Sequence, residues 1–173
     1  MARRTTDVQD GPGFFEVDRP TAAPQPSGRH LIVEADGGSR GNPGPAAYGA
    51  LVRDADTGEI LMNEGQLIGV ATNNVAEYSG LIAGLEMVRE LDPAAAVEVR
   101  MDSKLVIEQM AGRWKIKHAA MKPLALRANE LRPADVTWTW VPRAENGRAD
   151  ALVNQALDGD PMPRQHQVTG REH

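Results

Sequence analysis

Two apolar runs in this chain each finish on an aspartate. Leu31-Ile32-Val33-Glu34-Ala35 runs into Asp36, and Val97-Glu98-Val99-Arg100-Met101 runs into Asp102. Runs of this length and β-branched content predict buried strands. If the two strands lie parallel in one sheet, both carboxylates emerge at the same edge. Two more acids stand where packing gives no reason for one. Glu77 falls on the first turn of an otherwise apolar helical stripe, and Asp150 opens the apolar face of the last helix. Four acids gathered in a dry pocket cannot all stay ionised without cations. An all-oxygen cluster of this kind suits magnesium or manganese.

The remaining elements can be read in order. The Gly- and Pro-rich stretch Gly37–Pro45 predicts a loop. Strand 2 is expected at about 46–54 and strand 3 at about 59–68, joined by a turn at Asp56-Thr57-Gly58. Tyr78, Leu81, Ile82, Leu85 and Val88 repeat with helical spacing over about 74–91, and Asp92-Pro93 ends that helix. Strand 4 covers about 96–102. Ser103 can cap a helix over about 103–112, and a short helix covers about 120–131. Strand 5 covers about 135–141, and the last helix about 146–158.

The first three strands suit an antiparallel meander. The last two follow helices and suit right-handed parallel crossovers beside strand 1. The expected fold is therefore α/β, a five-stranded mixed sheet with helices on both faces. Open sheets of this kind bind ligands at the carboxyl edge, where Asp36 and Asp102 would meet. Glu77 and Asp150 would arrive from the flanking helices.

Residues 1–28 are rich in Pro, Gly, Ala and charge without periodicity, and predict a disordered tail. Phe14 and Phe15 lie in it and are read as idle. Residues 159–173 predict a second tail. The folded domain is expected at 29–158. With no cysteine there is no thiolate metal site, and four scattered histidines argue against zinc. No run approaches a membrane span, and acids soon follow Arg3-Arg4, so the cytoplasm is the expected compartment. The net charge is −5, yet charge distribution matters more than its sum. From Gln109 to Asn129 there is no acid, while Arg113, Lys115, Lys117, Lys122 and Arg127 are basic.

The glycine loop after Asp36 permits close backbone approach to a phosphate or sugar. No Gly-Lys-Ser/Thr follows it, and it leads into a hairpin, so it is neither a Walker loop nor a dinucleotide fingerprint. One of Thr72-Asn73-Asn74 caps the helix after it. The others can offer amides to a minor groove that displays 2′-hydroxyls. Acids, glycines and amides together point to metal-assisted phosphodiester hydrolysis.

Four segments resemble ribonuclease H type 1: Asp36-Gly37-Gly38-Ser39-Arg40-Gly41-Asn42-Pro43-Gly44-Pro45, Ala71-Thr72-Asn73-Asn74-Val75-Ala76-Glu77, Met101-Asp102-Ser103 and Glu145-Asn146-Gly147-Arg148-Ala149-Asp150. The resemblance covers roughly residues 30–158 and implies the ribonuclease H-like fold. It is similar to the compact bacterial and archaeal branch, including actinobacterial domains fused to a phosphatase-like domain. Arg113-Trp114-Lys115-Ile116-Lys117-His118 is typical of that branch. No second domain follows in this chain, so phosphatase activity is expected to be absent.

The resemblance implies endonucleolytic cleavage of the RNA strand of RNA–DNA hybrids, leaving 5′-phosphate and 3′-hydroxyl ends. Asp36, Glu77, Asp102 and Asp150 would bind two magnesium or manganese ions, with Glu77 near the attacked ribose. Ser39, Asn42, Asn73 and Asn74 match positions on the hybrid's minor groove, and Thr72 a position holding a DNA-strand phosphate. Lys104 and the Arg113, Trp114, Lys115, Lys117 and His118 segment would also bind substrate. A monomer is the simplest expectation.

Two features depart from the family pattern. Many members carry a histidine on the loop before the last acid. Between Val141 and Asp150 there is none, and Arg143 is the candidate replacement, able to contact a phosphate but not to act as a base near neutral pH. The basic helical protrusion of longer members is also missing, leaving the Arg113–His118 segment to grip the hybrid, with weaker and more salt-sensitive binding expected. Two other classes compete with this reading: a catalytically silent nucleic-acid-binding module, and a DNA-cutting relative such as a transposase, integrase or resolvase core.

Overall fold

The computed structural model describes residues 25–167; the Phe14-Phe15 pair lies outside them. Strands β1 (His30–Ser39), β2 (Gly44–Asp54) and β3 (Ile60–Ala71) form the antiparallel meander. The Asp54 carboxylate closes the β2–β3 turn by accepting from the Asp56 and Thr57 amides at 2.8 and 3.0 Å, an Asx-type turn. Strand β4 (Ala96–Met101) pairs parallel with β1, and β5 (Val136–Trp140) parallel with β4. Leu31 to Asp36 of β1 are all buried, as suits a strand with neighbours on both sides and layers on both faces.

Helix α1 (Asn73–Leu91) is capped by Thr72, whose side chain accepts from the Val75 amide. It lays Tyr78, Leu81, Leu85 and Val88 on one face of the sheet, where α2 (Lys104–Met110) and α3 (Lys122–Leu131) complete the main core. The Tyr78 hydroxyl donates to Gln109 Oε1 at 2.6 Å and links α1 to α2 inside that core. Helix α4 (Gly147–Leu157) covers the other face, with Val153 and Ala156 against Ala47. Glu34 alternates toward this second face, where Arg53 and Arg148 hold it at 2.8 and 2.9 Å.

The sheet has six strands rather than five, in the order β5-β4-β1-β2-β3-β6. The sixth, β6 (Met162–His166), pairs antiparallel with β3 in a segment expected to be a tail. Its Pro163 reads as a breaker, but an edge strand can spare one N–H. Charge rather than apolar burial fixes it: Arg164 reaches Glu64 at 3.0 Å, Glu86 at 2.8 Å and Glu90 at 2.6 Å. Helix α1 also starts early enough that Glu77 sits in its second turn, not its first, so a first-turn dipole role does not explain it.

Candidate active site

Asp36 and Asp102 meet at the carboxyl edge, on neighbouring parallel strands and the residue just beyond. Helix α1 delivers Glu77 to them through a contact of main chains. A β-carbon added at Gly37 would stand 2.1 to 2.3 Å from the Ala76–Glu77 peptide, so only glycine lets strand and helix approach this closely. Asp36, Glu77 and Asp102 each place one carboxylate oxygen within 4.8 Å of the others.

This cluster is poorly neutralised. Burial pushes the Glu77 carboxyl up to about 10, helped by the charges of Asp36 and Asp102. Burial likewise raises Asp36 to about 7, with Asp102 and Asp150 adding repulsion against the bond from the Gly37 amide. The Glu77 Oε2 atom is buried without a hydrogen-bond partner. An orphaned carboxylate oxygen among acids that resist ionisation is what a divalent cation relieves. The residues present therefore fit magnesium or manganese, and hard oxygen donors favour either over zinc.

Asp150, in the first turn of α4, lies outside the tight trio but lines the same cavity of about 390 Å³. Asn154 donates to it at 3.3 Å, and Arg143, highly exposed on the 3-10 turn Arg143–Glu145, stands 3.7 Å away. Arg40 is on the cavity wall but is engaged with Asp158 at 2.6 Å.

The expected substrate contacts form two groups joined at the start of α1. Asn73 Oδ1 accepts from the Ser39 amide at 2.9 Å, while Asn42 Oδ1 accepts from the Asn73 amide at 3.1 Å. These amides thereby fix the end of β1 and the short 40–43 connection against the helix, with Asn73 lining the acidic cavity. The expected loop shrinks to those four residues, because 37–39 and 44–45 continue the strands. Asn74 instead lines a neighbouring cavity of about 640 Å³, together with Arg113, Trp114, Lys115, Lys117 and His118. Trp114 is 45 % exposed and is not a core residue. Arg113 is held by Glu108 through two bonds of 2.7 and 2.8 Å. Lys104 stands apart from this group, over the ring of Trp140.

Asn146 is the site residue that sequence reasoning missed. An asparagine before a helix usually caps it, yet this one makes no side-chain cap. Its amide turns inward, fully buried, and donates to the Ala35 carbonyl at 2.9 Å and to Asp102 Oδ1 at 3.3 Å. It thus ties the start of α4 to β1 and to one of the acids. Its position inside the Glu145–Asp150 motif was the only available signal.

A family model described as reverse transcriptase-like matches residues 34–156. The chain is 54% identical over 130 residues to the bifunctional protein Rv2228c of Mycobacterium tuberculosis, covering 74% of this chain and 35% of that protein. It thus spans about a third of the length of this relative. The structure of that protein's N-terminal RNase H domain, solved as a fusion with maltose-binding protein, matches with a TM-score of 0.71 at 52% identity, over 75% of this chain and 94% of the other. Ribonuclease HI of Halobacterium salinarum is 45% identical over 141 residues, 80% of this chain and 70% of that one. LC11-RNase H1, solved in complex with an RNA/DNA hybrid, matches with a TM-score of 0.70 at 40% identity, over 74% of this chain and 96% of the other. With its acids, its sheet and these relatives in agreement, the chain belongs to the ribonuclease H family.

Proposed function

We propose that this protein is an endonuclease that hydrolyses the RNA strand of RNA–DNA hybrids with two divalent cations, leaving 5′-phosphate and 3′-hydroxyl ends. The observation that carries the reading is the trio Asp36, Glu77 and Asp102 within 4.8 Å, with an unpartnered buried oxygen on Glu77. Asp150 on the wall of the same cavity supplies a fourth carboxylate. Bound there, two magnesium or manganese ions would activate a water and stabilise the leaving 3′-oxygen.

The chain's own residues supply position and charge. Asp36, Glu77, Asp102 and Asp150 hold the cations, and Asn146 orients Asp102. Ser39, Asn42, Asn73 and Asn74 present amides and a hydroxyl to the minor groove of a hybrid, where only one strand carries 2′-hydroxyls. Thr72, at the start of α1, and the basic cavity from Arg113 to His118 take phosphates of the other strand. Arg143 touches a phosphate near Asp150 without acting as a base. The hybrid bound to LC11-RNase H1 supports this choice of substrate.

The test is cleavage of an end-labelled RNA–DNA hybrid with magnesium, manganese or EDTA, beside Asp102→Asn. Metal-dependent cutting of the RNA strand alone, lost in the variant, supports the reading. A folded protein that binds hybrid but cuts it with neither metal is a binding module instead. One that cuts duplex DNA and spares the hybrid is a DNA nuclease.

A further inference from the structure

Trp140 closes β5 at the same carboxyl edge as Asp102. Its indole is 45 % exposed, unusual for so large an apolar surface at a strand end. The ring N–H donates to the Asp102 carbonyl oxygen at 3.2 Å, which anchors the ring to the main chain of a cluster acid. The Lys104 ammonium stands 5.4 Å from the ring centroid, within cation–π range. The carboxylate one turn along from Lys104 is Glu108, and Arg113 engages both of its oxygens. The ammonium is thus presented on an aromatic face beside the acids, while its natural helical partner is occupied.

We infer that Lys104 and Trp140 form a phosphate subsite on the β5 side of Asp102, which takes a backbone phosphate of the nucleic-acid strand lying across the acids. Lys104 makes the contact. Trp140 is a positioning residue that touches Lys104 and Asp102 rather than the substrate. Because one ring braces both, the bound phosphate and the acid cluster keep a fixed separation. The subsite therefore helps set which phosphodiester comes to rest on the acids. A point contact by an ammonium carries no base preference. The inference rests on the nuclease reading for its substrate, although its binding readout requires no cutting.

The experiment measures RNA–DNA hybrid binding by anisotropy in EDTA across a salt series, for the full chain and for Lys104→Met, Trp140→Leu, Trp140→Phe and the Lys104→Met/Trp140→Leu double variant. Removal of one phosphate contact should lower the slope of log affinity against log salt by about one. Lys104→Met and Trp140→Leu should each show that loss, with binding about threefold to tenfold weaker at low salt. The double variant should be no weaker than the worse single one, and Trp140→Phe, which keeps an aromatic face, should retain the wild-type slope. With magnesium, the slope-losing variants should also scatter the cut positions on a uniform hybrid, and so should Trp140→Phe, which keeps the aromatic face but not the N–H that holds the ring to Asp102. An unchanged slope in Lys104→Met overturns the subsite, and additive losses overturn the role of Trp140. Lys104 is exposed at a helix start, so its variant stays readable if Trp140→Leu does not fold. Wild-type protein that binds hybrid but never cuts it refutes the nuclease reading and leaves the slope comparison standing.

Discussion

Gly80 of α1 rests on Asp36 of β1: a β-carbon at position 80 would stand 2.5 Å from the Asp36 carbonyl oxygen. With Gly37 pressed in the same way against the Ala76–Glu77 peptide, the two main chains touch at both ends of the contact. The separation of Asp36 from Glu77 is therefore set by backbone, not by the reach of side chains.

Gly80→Ala should force α1 away from β1. The expected cost is about 1–3 kcal/mol, as for overpacking in a close-packed interior, with a larger proportional loss of magnesium affinity. Thermal unfolding and a magnesium titration of the same variant check it. Unchanged metal binding in a destabilised variant would separate the glycine contact from the site.

The metal-free site should make the protein sensitive to alkali. An unfolded Glu77 releases its proton near 4.5, whereas the folded one holds it to about 10; Asp36 behaves alike between 3.8 and about 7. Across those windows the native state binds more protons than the unfolded chain, so stability falls as pH rises. The unfolding temperature in EDTA should drop between about pH 5 and pH 8, and magnesium should restore more of it at the upper end. Glu77→Gln, a neutral isostere, should blunt both the drop and the magnesium response.

Glu34 should act in the opposite sense. Burial works against its charge, but Arg148 and Arg53 outweigh burial and lower its carboxyl below the ordinary value of 4.5. Its contribution is present above about 4.5 and is lost as pH falls through the folded value. Glu34→Gln should destabilise the protein at neutral pH by up to about 3 kcal/mol, because it leaves the partly buried Arg53 guanidinium without its carboxylate. The gap to wild type should close in acid, as urea unfolding at several pH values would show.

Asn146→Ala removes one buried and one part-buried hydrogen bond and should cost about 1–3 kcal/mol. Magnesium affinity should fall with it, since Asp102 loses its tether. If calorimetry shows wild-type metal affinity in the variant, Asn146 has only a structural task.

Three of the four candidate acids were legible because they contradict their surroundings, as aspartates ending apolar runs or a glutamate in line with Leu81, Gly84 and Val88; Asp150, an acid early in a helix, carried the weakest local signal. Local pattern carried the meander, the two parallel strands and the helices, since their apolar periods match their burial. What escaped was tertiary. Asn146 looks like an ordinary cap until its amide is seen turning inward. Glu34 was passed over as one member of an apolar run, because its partners Arg53 and Arg148 lie far from it in sequence. Strand β6 escaped because Arg164 meets acids on β3 and α1, a grouping no local period encodes.

That last strand matters beyond the free energy of its ion pairs. Beyond Gly65, the last residue it pairs with β6, β3 continues to Ala71 beside β2 alone and leaves Leu67 and Val70 well exposed. A bare strand edge is a template that another chain can complete. By occupying Met62 to Gly65 with a short, proline-bearing, charge-fixed segment, β6 removes that part of the edge from the template. Its contribution is colloidal as much as thermodynamic: a charged, proline-bearing strand is a poorer template for a second copy than the β3 backbone it covers.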